Sequence, residues 1–322
     1  MRKVLSIVLP IYNEEKCIDA LWERLRLLKQ RIDGYGIEFI MVNDGSSDRS
    51  LTMMKGIAER HHNVKILSFS RNFGHQVALS AGLEHARGDV VVVMDADLQD
   101  PPELIVDMLS KYQEGYDIVY AVRRERRGET SFKRKSASWF YKTLNRLSST
   151  PIPQNTGDFR LLSRRAVDAF NRLGEKDRFL RGMLSWIGFN QVGIEYDRPP
   201  RIAGETKYPL KKMLLFALDG IVSFSNLPLR LATWLGFFTS FLALLYIVVV
   251  LIKKFLGYTL PGYASIMVSI LFLGGVQLIT IGILGEYISR IYNEAKGRPL
   301  YIIEETVNCN DYQHTEDEPQ ST

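Results

Sequence analysis

The fold is set by the segment Asp89-Val90-Val91-Val92-Val93-Met94-Asp95-Ala96-Asp97-Leu98-Gln99-Asp100-Pro101-Pro102. The run of valines with Met94 predicts a buried parallel strand, and the paired prolines predict a helix start. Asp95 and Asp97 are two residues apart, so on an extended segment their side chains would point to the same side. Such hard oxygen ligands suit Mg²⁺ or Mn²⁺. The alternative for so short a motif is an ordinary polar turn.

Strand and helix patterns alternate along the first third of the chain. Apolar runs of strand length lie at residues 4–9, 38–42, 64–69, 90–94 and 118–122. Apolar residues with helical spacing lie at residues 14–31 and 72–86. This βαβα order predicts an α/β domain, in which a mostly parallel, Rossmann-like sheet has helices on both faces.

Polar side chains follow each of the first four predicted strands. They are Tyr12, Asn13 and Glu14, then Asn43 and Asp44, then Arg71, Asn72 and Gly74, then Asp95, Asp97 and Gln99. Open α/β sheets bind ligands at the carboxyl ends of their strands, so we expect these residues to line one crevice. No GxGxxG pattern follows the first strand, which argues against a dinucleotide-dependent oxidoreductase.

Four blocks at these strand ends carry a family resemblance. They are residues 8–14 (Val-Leu-Pro-Ile-Tyr-Asn-Glu), 42–48 (Val-Asn-Asp-Gly-Ser-Ser-Asp), 70–74 (Ser-Arg-Asn-Phe-Gly) and 94–101 (Met-Asp-Ala-Asp-Leu-Gln-Asp-Pro). Together they resemble the signature blocks of the inverting GT-A glycosyltransferases of family 2. Over nearly its whole length, the chain most resembles the bacterial polyprenyl-phosphate glycosyltransferases of the bactoprenol glucosyltransferase type.

The resemblance implies a role for each block. The residues expected to bind the donor nucleotide are Pro10, Tyr12, Glu14, Asp44, Arg71 and Asp95. The expected ligands of a Mg²⁺ or Mn²⁺ ion, which would also meet the donor diphosphate, are Asp95, Asp97 and Gln99. The expected catalytic residues are Asp95, Asp97 and Asp158.

Two later segments complete the expected site. Residues 157–160 (Gly-Asp-Phe-Arg) have the composition of a loop, and in the similar glucosyl-type proteins this aspartate lies beside the transferred sugar. The alternative is a structural ion pair of Asp158 with Arg160 or another arginine. Cations on either side of a glycine-containing turn can clamp a phosphate, although they can also be solvated loop residues. The residues expected at the phosphates and the acceptor are Arg123, Arg201, Thr206 and Lys207.

Two apolar segments in the second half predict a transmembrane hairpin rather than a packed core hairpin. Residues 231–252 carry no charge and residues 263–288 carry only Glu286, and each is long enough to span a bilayer. Two amphipathic helices are expected to precede it, one at residues 123–147, either on the protein surface or near anionic lipid, and one at residues 207–229 on the bilayer. The predicted division is a GT-A domain (1–206), a juxtamembrane helix (207–229), a hairpin (230–290) and a C-terminal segment with a disordered end (291–322).

The positions of the cations predict the topology. Lysines and arginines cluster before the first span and after the second, whereas the connecting loop has only Lys253 and Lys254. The positive-inside rule then places the catalytic domain and both termini in the cytoplasm, and the hairpin in a bacterial inner membrane as a multi-pass anchor. Small residues in the second span predict close helix packing and a homo-oligomer, with a tetramer as our guess. They are Gly274, Gly275, Gly282 and Gly285.

The amino-acid composition limits the classes of partner that the chain is expected to bind. The chain has 41 Lys and Arg against 36 Asp and Glu, a mild positive excess that suits a membrane surface or an anionic substrate. It has no finger, ribbon or aromatic RNA-binding motif, so we expect no nucleic-acid partner. Cys17 and Cys309 lie far apart without metal-ligand spacing, and we expect both to be reduced.

These parts predict one reaction. A nucleotide-sugar site joined to a membrane hairpin requires an acceptor in the membrane, and the resemblance implies transfer of glucose from UDP-glucose to undecaprenyl phosphate for modification of a cell-envelope glycan. UDP-GlcNAc or an aminoarabinose-type donor is the alternative within this reaction. A processive polysaccharide synthase is a further alternative. It would have more than two spans and a Gln-x-x-Arg-Trp block, which this sequence lacks, so the sequence argues against it. A non-catalytic membrane module that binds nucleotide is the alternative of a different class.

Overall fold

The computed structural model describes residues 2–124, 153, 156–197, 227–257 and 262–309. Its chain divides into two compact units. The first contains a β-sheet with its helices and includes residues 298–309, and the second contains two long helices.

The first unit is built on a sheet to which the described residues contribute eight strands. In chain order these are β1 (Lys3–Ile11), β2 (Tyr35–Asn43), β3 (Val64–Phe69), β4 (Val90–Val93), β5 (Ile118–Arg123), β6 (Thr156–Ser163), β7 (Gln191–Tyr196) and β8 (Ile303–Val307). Their order across the sheet is β7-β5-β6-β4-β1-β2-β3-β8. Only β6 and β8 run antiparallel to their neighbours among these strands. The predicted mostly parallel α/β fold is therefore confirmed.

Among the described residues, six shorter helices belong to the same unit as this sheet. They are α1 (Ile18–Lys29), α2 (Ser50–Ala58), α3 (His75–His85), α4 (Leu104–Gln113), α5 (Arg164–Asn171) and α6 (Leu180–Ile187). The buried residues of α1 recur with helical spacing and form one apolar face, as the sequence pattern predicts. By contrast, all four residues of β4 are buried, because a central parallel strand is covered on both faces.

Residues 157–160 form part of β6, so the expectation of a loop there was wrong. Strand β6 lies between β4 and β5, and all of its residues are buried. Arg160 pairs with Val93 on one side and with Tyr120 on the other. Pairing on both sides outweighs the weak strand propensity of Gly and Asp. Because β6 is antiparallel, it begins at the edge where β4 and β5 end, and Asp158 therefore lies at that edge.

After the second long helix the chain returns to the sheet as β8. Ser70 N donates to Ile302 O at 3.0 Å, and the Tyr301 ring stacks on Phe69 with 4.9 Å between centroids. The Tyr301 hydroxyl also donates to Glu84 Oε2 at 2.7 Å. The exposed polar centre of this short edge strand gives no apolar run from which the sequence would predict it.

Replacing Tyr301 with alanine is expected to loosen β8, because the substitution removes both the ring stacking and the hydroxyl bond. We expect a loss of about 2 kcal/mol in domain stability, compared with about 1 kcal/mol for Tyr301→Phe, which keeps the ring. Hydrogen exchange on the detergent-solubilised protein would show faster exchange at the amides of β8 and Ser70 in the alanine variant. Unchanged exchange there would contradict a stabilising role for Tyr301.

The second unit consists of α7 (Leu227–Phe255) and α8 (Tyr263–Ala295). Segments of these helices, Leu231–Lys253 and Val268–Ala295, are long and apolar enough to cross a membrane. At most 6% of either segment is buried, unlike the core helix of a soluble domain. The helices include both predicted spans and extend beyond them.

Some predictions fall on residues outside the described ranges. These are the amphipathic helix at 123–147 beyond residue 124, nearly all of the helix at 207–229, and the disordered end of the tail. The domain boundaries also remain predictions.

Candidate functional site

The carboxyl ends of β1 to β4 meet at one edge of the sheet, and hydrogen bonds join the first two of the loops that follow them. Asp44 N donates to Ile11 O at 2.9 Å, which links the ends of β1 and β2. Ser47 N donates to Asn13 Oδ1 at 2.8 Å, and Glu14 N donates to Ser50 Oγ at 2.9 Å. The loops after β1 and β2 are therefore held together at this edge of the sheet.

The Asp44 side chain connects these two loops to the loop after β3. Its carboxylate accepts hydrogen bonds from Phe73 N at 2.7 Å, Gly74 N at 3.0 Å and Asn72 Nδ2 at 3.0 Å. Burial raises the pKa of Asp44, although these backbone donors oppose the shift. Gly45 permits the close approach, since a Cβ there would lie 2.4 Å from the Arg71 carbonyl carbon. Asp44 is 2% exposed, and the hydrogen bonds of its carboxylate join the loop after β2 to the loop after β3.

The other residues expected at the nucleotide differ in their accessibility. Tyr12 is 49% exposed, and Glu14 is half-buried. Arg71 is exposed and lies over the Phe73 ring, 4.1 Å from its centroid. Pro10 is buried within β1, where it pairs with Val42, so its side chain is not exposed to a ligand.

Asp95 and Asp97 lie where β4 ends. Between Asp97 and Gln99, Leu98 is buried and has a φ of 61°, a region that leucine rarely adopts. This conformation turns the chain so that Gln99 N donates to Asp97 Oδ1 at 3.1 Å. Backbone strain at such a position is typical of functional sites.

The Asp95 carboxylate fits a cation. Its Oδ1 atom is buried and accepts no hydrogen bond from the described residues. Burial, together with the carboxylates of Asp100, Asp158 and Asp97, raises the pKa of Asp95 to about 6, although His75 opposes this shift. The described residues contain no cluster of three or more His, Cys, Asp or Glu side chains that could hold a metal. An ion here would therefore add Gln99, water and donor oxygens to its ligands, as Mg²⁺ commonly does.

Asp158 lies at the start of β6 with both carboxylate oxygens bound. Arg181 Nε donates to Oδ1 at 2.8 Å, and Gln76 Nε2 donates to Oδ2 at 2.9 Å. Although burial alone would raise the pKa of Asp158, Arg181 and His75 hold it well below its usual value of 3.8. The alternative ion pair is thus present, with Arg181 as the partner. Arg160 is fully buried, and its three guanidinium nitrogens donate no hydrogen bond to the described residues.

His75 connects the two carboxylates. Its Nε2 atom lies 3.4 Å from Asp95 Oδ1 and 3.3 Å from Asp158 Oδ2. Burial would lower the pKa of His75, but the bond to Asp158 and the charge of Asp95 raise it. The side chain is 45% exposed, so a ligand at this edge can reach it.

Sequence reasoning missed His75, Gln76 and Arg181. His75 and Gln76 directly follow the Asn-Phe-Gly block and form the first turn of α3, which places them at the same edge. Their position directly after that block was the sequence signal that could have identified them as site residues. Arg181 has no such signal, because α6 reaches Asp158 only through the tertiary fold.

Arg123 ends β5 at this edge. A Cβ at Gly157 would lie 2.8 Å from Arg123 Nη2, so glycine lets the arginine approach β6. Arg123 Nε donates to the Tyr196 hydroxyl at 3.4 Å, and that hydroxyl donates to Asp100. The other residues expected at the acceptor lie outside the described ranges; they are Arg201, Thr206 and Lys207.

The chain is similar to several known proteins. Residues 6–170 match the family described as glycosyl transferase family 2, and residues 227–291 match the GtrB C-terminal hairpin. The uncharacterized glycosyltransferase YkcC of Bacillus subtilis is 49% identical over 94% of this chain and 93% of its own length. The bactoprenol glucosyl transferase of Shigella phage SfII is 45% identical over 95% and 99%. Among solved structures, glucosyl-3-phosphoglycerate synthase of M. tuberculosis is 20% identical with a TM-score of 0.45, and the match covers 68% of this chain and 78% of that chain.

Proposed function

The chain belongs to glycosyltransferase family 2, and we propose that it transfers glucose from UDP-glucose to a polyprenyl phosphate, undecaprenyl phosphate in bacteria. The products are UDP and an inverted, β-linked lipid-phospho-glucose for modification of a cell-envelope glycan. One observation carries the proposal: the identity to a bactoprenol glucosyl transferase extends over 95% of this chain and 99% of the relative. The similarity therefore includes the hairpin as well as the sheet domain.

The two units of the chain suit two different substrates. The sheet edge offers carboxylates, an amide and cations to a soluble nucleotide sugar. The apolar helices α7 and α8 suit the bilayer, where the lipid acceptor resides. Both parts together suit an enzyme that joins a soluble donor to a membrane lipid.

The reaction forms one covalent bond and breaks one covalent bond. An oxygen of the lipid phosphate attacks the anomeric carbon of glucose, and the bond from that carbon to the diphosphate breaks with its electrons leaving on UDP. Asp95, Asp97 and Gln99 would hold Mg²⁺ or Mn²⁺ at the diphosphate. A divalent ion there supplies positive charge that stabilises the leaving group.

A strong general base is not required for this attack. A phosphate monoester is already largely ionised near neutral pH, with a second pKa of about 6. Asp158 would be a weak base, since Arg181 and Gln76 bind its two oxygens and its pKa is low. We therefore assign Asp158 the role of an anion that orders His75 and Arg181 beside the donor sugar.

The remaining assignments belong to the same proposal. Tyr12, Glu14, Asp44 and Arg71, with Pro10 behind them, form the nucleotide side of the crevice. Arg123, Arg201, Thr206 and Lys207 engage the phosphates. The catalytic domain and both termini face the cytoplasm, and the hairpins associate in a homo-oligomer.

A donor panel tests the proposed substrate. The purified protein in detergent would receive undecaprenyl phosphate, Mg²⁺ or Mn²⁺ and radiolabelled UDP-glucose, UDP-GlcNAc, UDP-galactose or a UDP-aminoarabinose derivative in parallel. We expect label to enter the organic phase with UDP-glucose at a rate at least about tenfold above the other donors, because polar contacts to hydroxyl groups discriminate strongly. Faster transfer from another sugar would overturn the assignment of glucose. Nucleotide binding without any transfer would favour a non-catalytic module.

A further inference from the structure

We infer that Gln76 is a positioning residue, which fixes the direction of the Asp158 carboxylate in the site. The inference rests on the proposed sugar transfer, because it concerns how one residue of that site is held. Gln76 follows the Asn-Phe-Gly block at the start of α3 and is half-buried. Its side chain is placed to act on Asp158 rather than on the reacting atoms.

Three hydrogen bonds and one peptide link form a closed ring around Asp158. Gln76 Nε2 donates to Asp158 Oδ2 at 2.9 Å, and Leu180 N donates to Gln76 Oε1 at 2.9 Å. Arg181, the next residue after Leu180, donates from Nε to Asp158 Oδ1 at 2.8 Å. The first turns of α3 and α6 thus hold the carboxylate from both sides.

The backbone determines which way the Gln76 amide points. The Leu180 N–H lies in the first turn of α6, where backbone donors have no partner within the helix. It can only donate, so the facing atom of Gln76 must be the carbonyl oxygen. The amide NH₂ is then the end that faces Asp158. The positions of the amide oxygen and nitrogen of Gln76 are therefore fixed by the backbone donor at Leu180, and the amide need not be assigned by comparing its two flipped orientations.

Loss of Gln76 would free one end of the carboxylate. Among the described residues, Asp158 Oδ2 would keep the longer contact to His75, at 3.3 Å, and Leu180 N would lose the Gln76 carbonyl oxygen as its acceptor. Asp158 could then rotate, and His75, which reaches from Asp158 to Asp95, would follow it. We expect Gln76→Ala to lower kcat about tenfold or more with little change in the KM for UDP-glucose, because a small misplacement of a site residue slows the chemical step.

Gln76→Glu gives a sharper test, because the introduced carboxyl has the same shape but donates only when it is protonated. It would face the anion of Asp158, whose charge raises its pKa. Arg181 on α6, Arg160 on β6 and His75 on α3 oppose that rise. Transfer by this variant, as a fraction of wild-type transfer at each pH, is expected to fall at least about fivefold between pH 5.5 and pH 8. Gln76→Ala should show a loss that does not change with pH. Gln113→Glu, on the exposed end of α4, is the matched control.

Hydrogen exchange at the Leu180 amide provides a readout that does not depend on catalysis. We expect faster exchange there in Gln76→Ala than in the wild type, with a single cooperative melting transition as the check on folding. Wild-type kcat in Gln76→Ala or unchanged exchange at Leu180 would each overturn the positioning role. Failure of the proposed function would look different: the wild-type protein would transfer no sugar, while the exchange comparison would still test the ring.

Discussion

The variant Asp97→Ala is expected to lose about 1,000-fold in kcat, which corresponds to about 4 kcal/mol of transition-state stabilisation. In the proposed reaction Asp97 would help to hold a divalent ion, which would supply positive charge at the leaving diphosphate. Asp97 is only partly buried, and its Oδ1 atom accepts a backbone hydrogen bond from Gln99. Transfer of label from UDP-glucose to lipid at saturating substrates measures the effect.

Two controls separate a loss of metal from a general defect. Asp107→Ala removes an exposed carboxylate from α4 and should transfer at the wild-type rate. Titration with Mn²⁺ should show a weaker apparent affinity in Asp97→Ala than in the wild type, because one hard ligand is missing. If Asp97→Ala keeps more than about a tenth of wild-type kcat at saturating metal, Asp97 does not act through the metal as proposed.

Asp158→Asn is expected to damage both stability and turnover. The buried carboxylate is paired with Arg181 and bound by Gln76, so an amide in its place would present NH₂ to one of these donors and leave buried positive charge without an anion. We expect a loss of about 3 kcal/mol in stability, as is typical when one partner of a buried pair is removed. With His75 and Arg181 displaced, kcat should fall about 100-fold.

The pH dependence of stability provides a second signature of Asp158. Its pKa is lower in the folded protein than its usual 3.8, so the stabilisation is present above that value and is lost only as pH falls through the lower, folded pKa. Asp158→Asn should therefore remove more stability at neutral pH than in strong acid. Asp168→Asn, which changes an exposed carboxylate paired with Arg164, is the control. Equal melting temperatures for the wild type and Asp158→Asn at pH 7 would contradict this role.

The sequence was most informative where one local pattern determines the structure. The apolar runs of β1 to β5 and the 3.6-residue period of α1 are local, and the structure has these elements within a few residues of the predicted bounds. The common location of the candidate residues followed from the same reasoning, because parallel strands bring their carboxyl ends together. Asp95, Asp97, Asp44 and Arg71 all lie at the expected edge.

Long-range pairing explains what was missed. Strand β6 contains Gly157 and Asp158, which locally favour a turn, but its backbone pairs with β4 and β5 on either side. Strand β8 follows the second long helix and joins the edge of β3, far away in sequence. Arg181 reaches Asp158 through the packing of α6. No short window of sequence contains these contacts.

The most direct measurement is phosphorus and proton NMR of the organic-phase product formed from UDP-glucose and undecaprenyl phosphate. The proposed reaction predicts a single phosphodiester in which the anomeric carbon of β-glucose is joined to the lipid phosphate, with UDP as the co-product. An α-linked sugar would contradict inversion. A lipid diphosphate with UMP released, or free glucose with UDP and no lipid product, would contradict the transfer of glucose to a lipid phosphate.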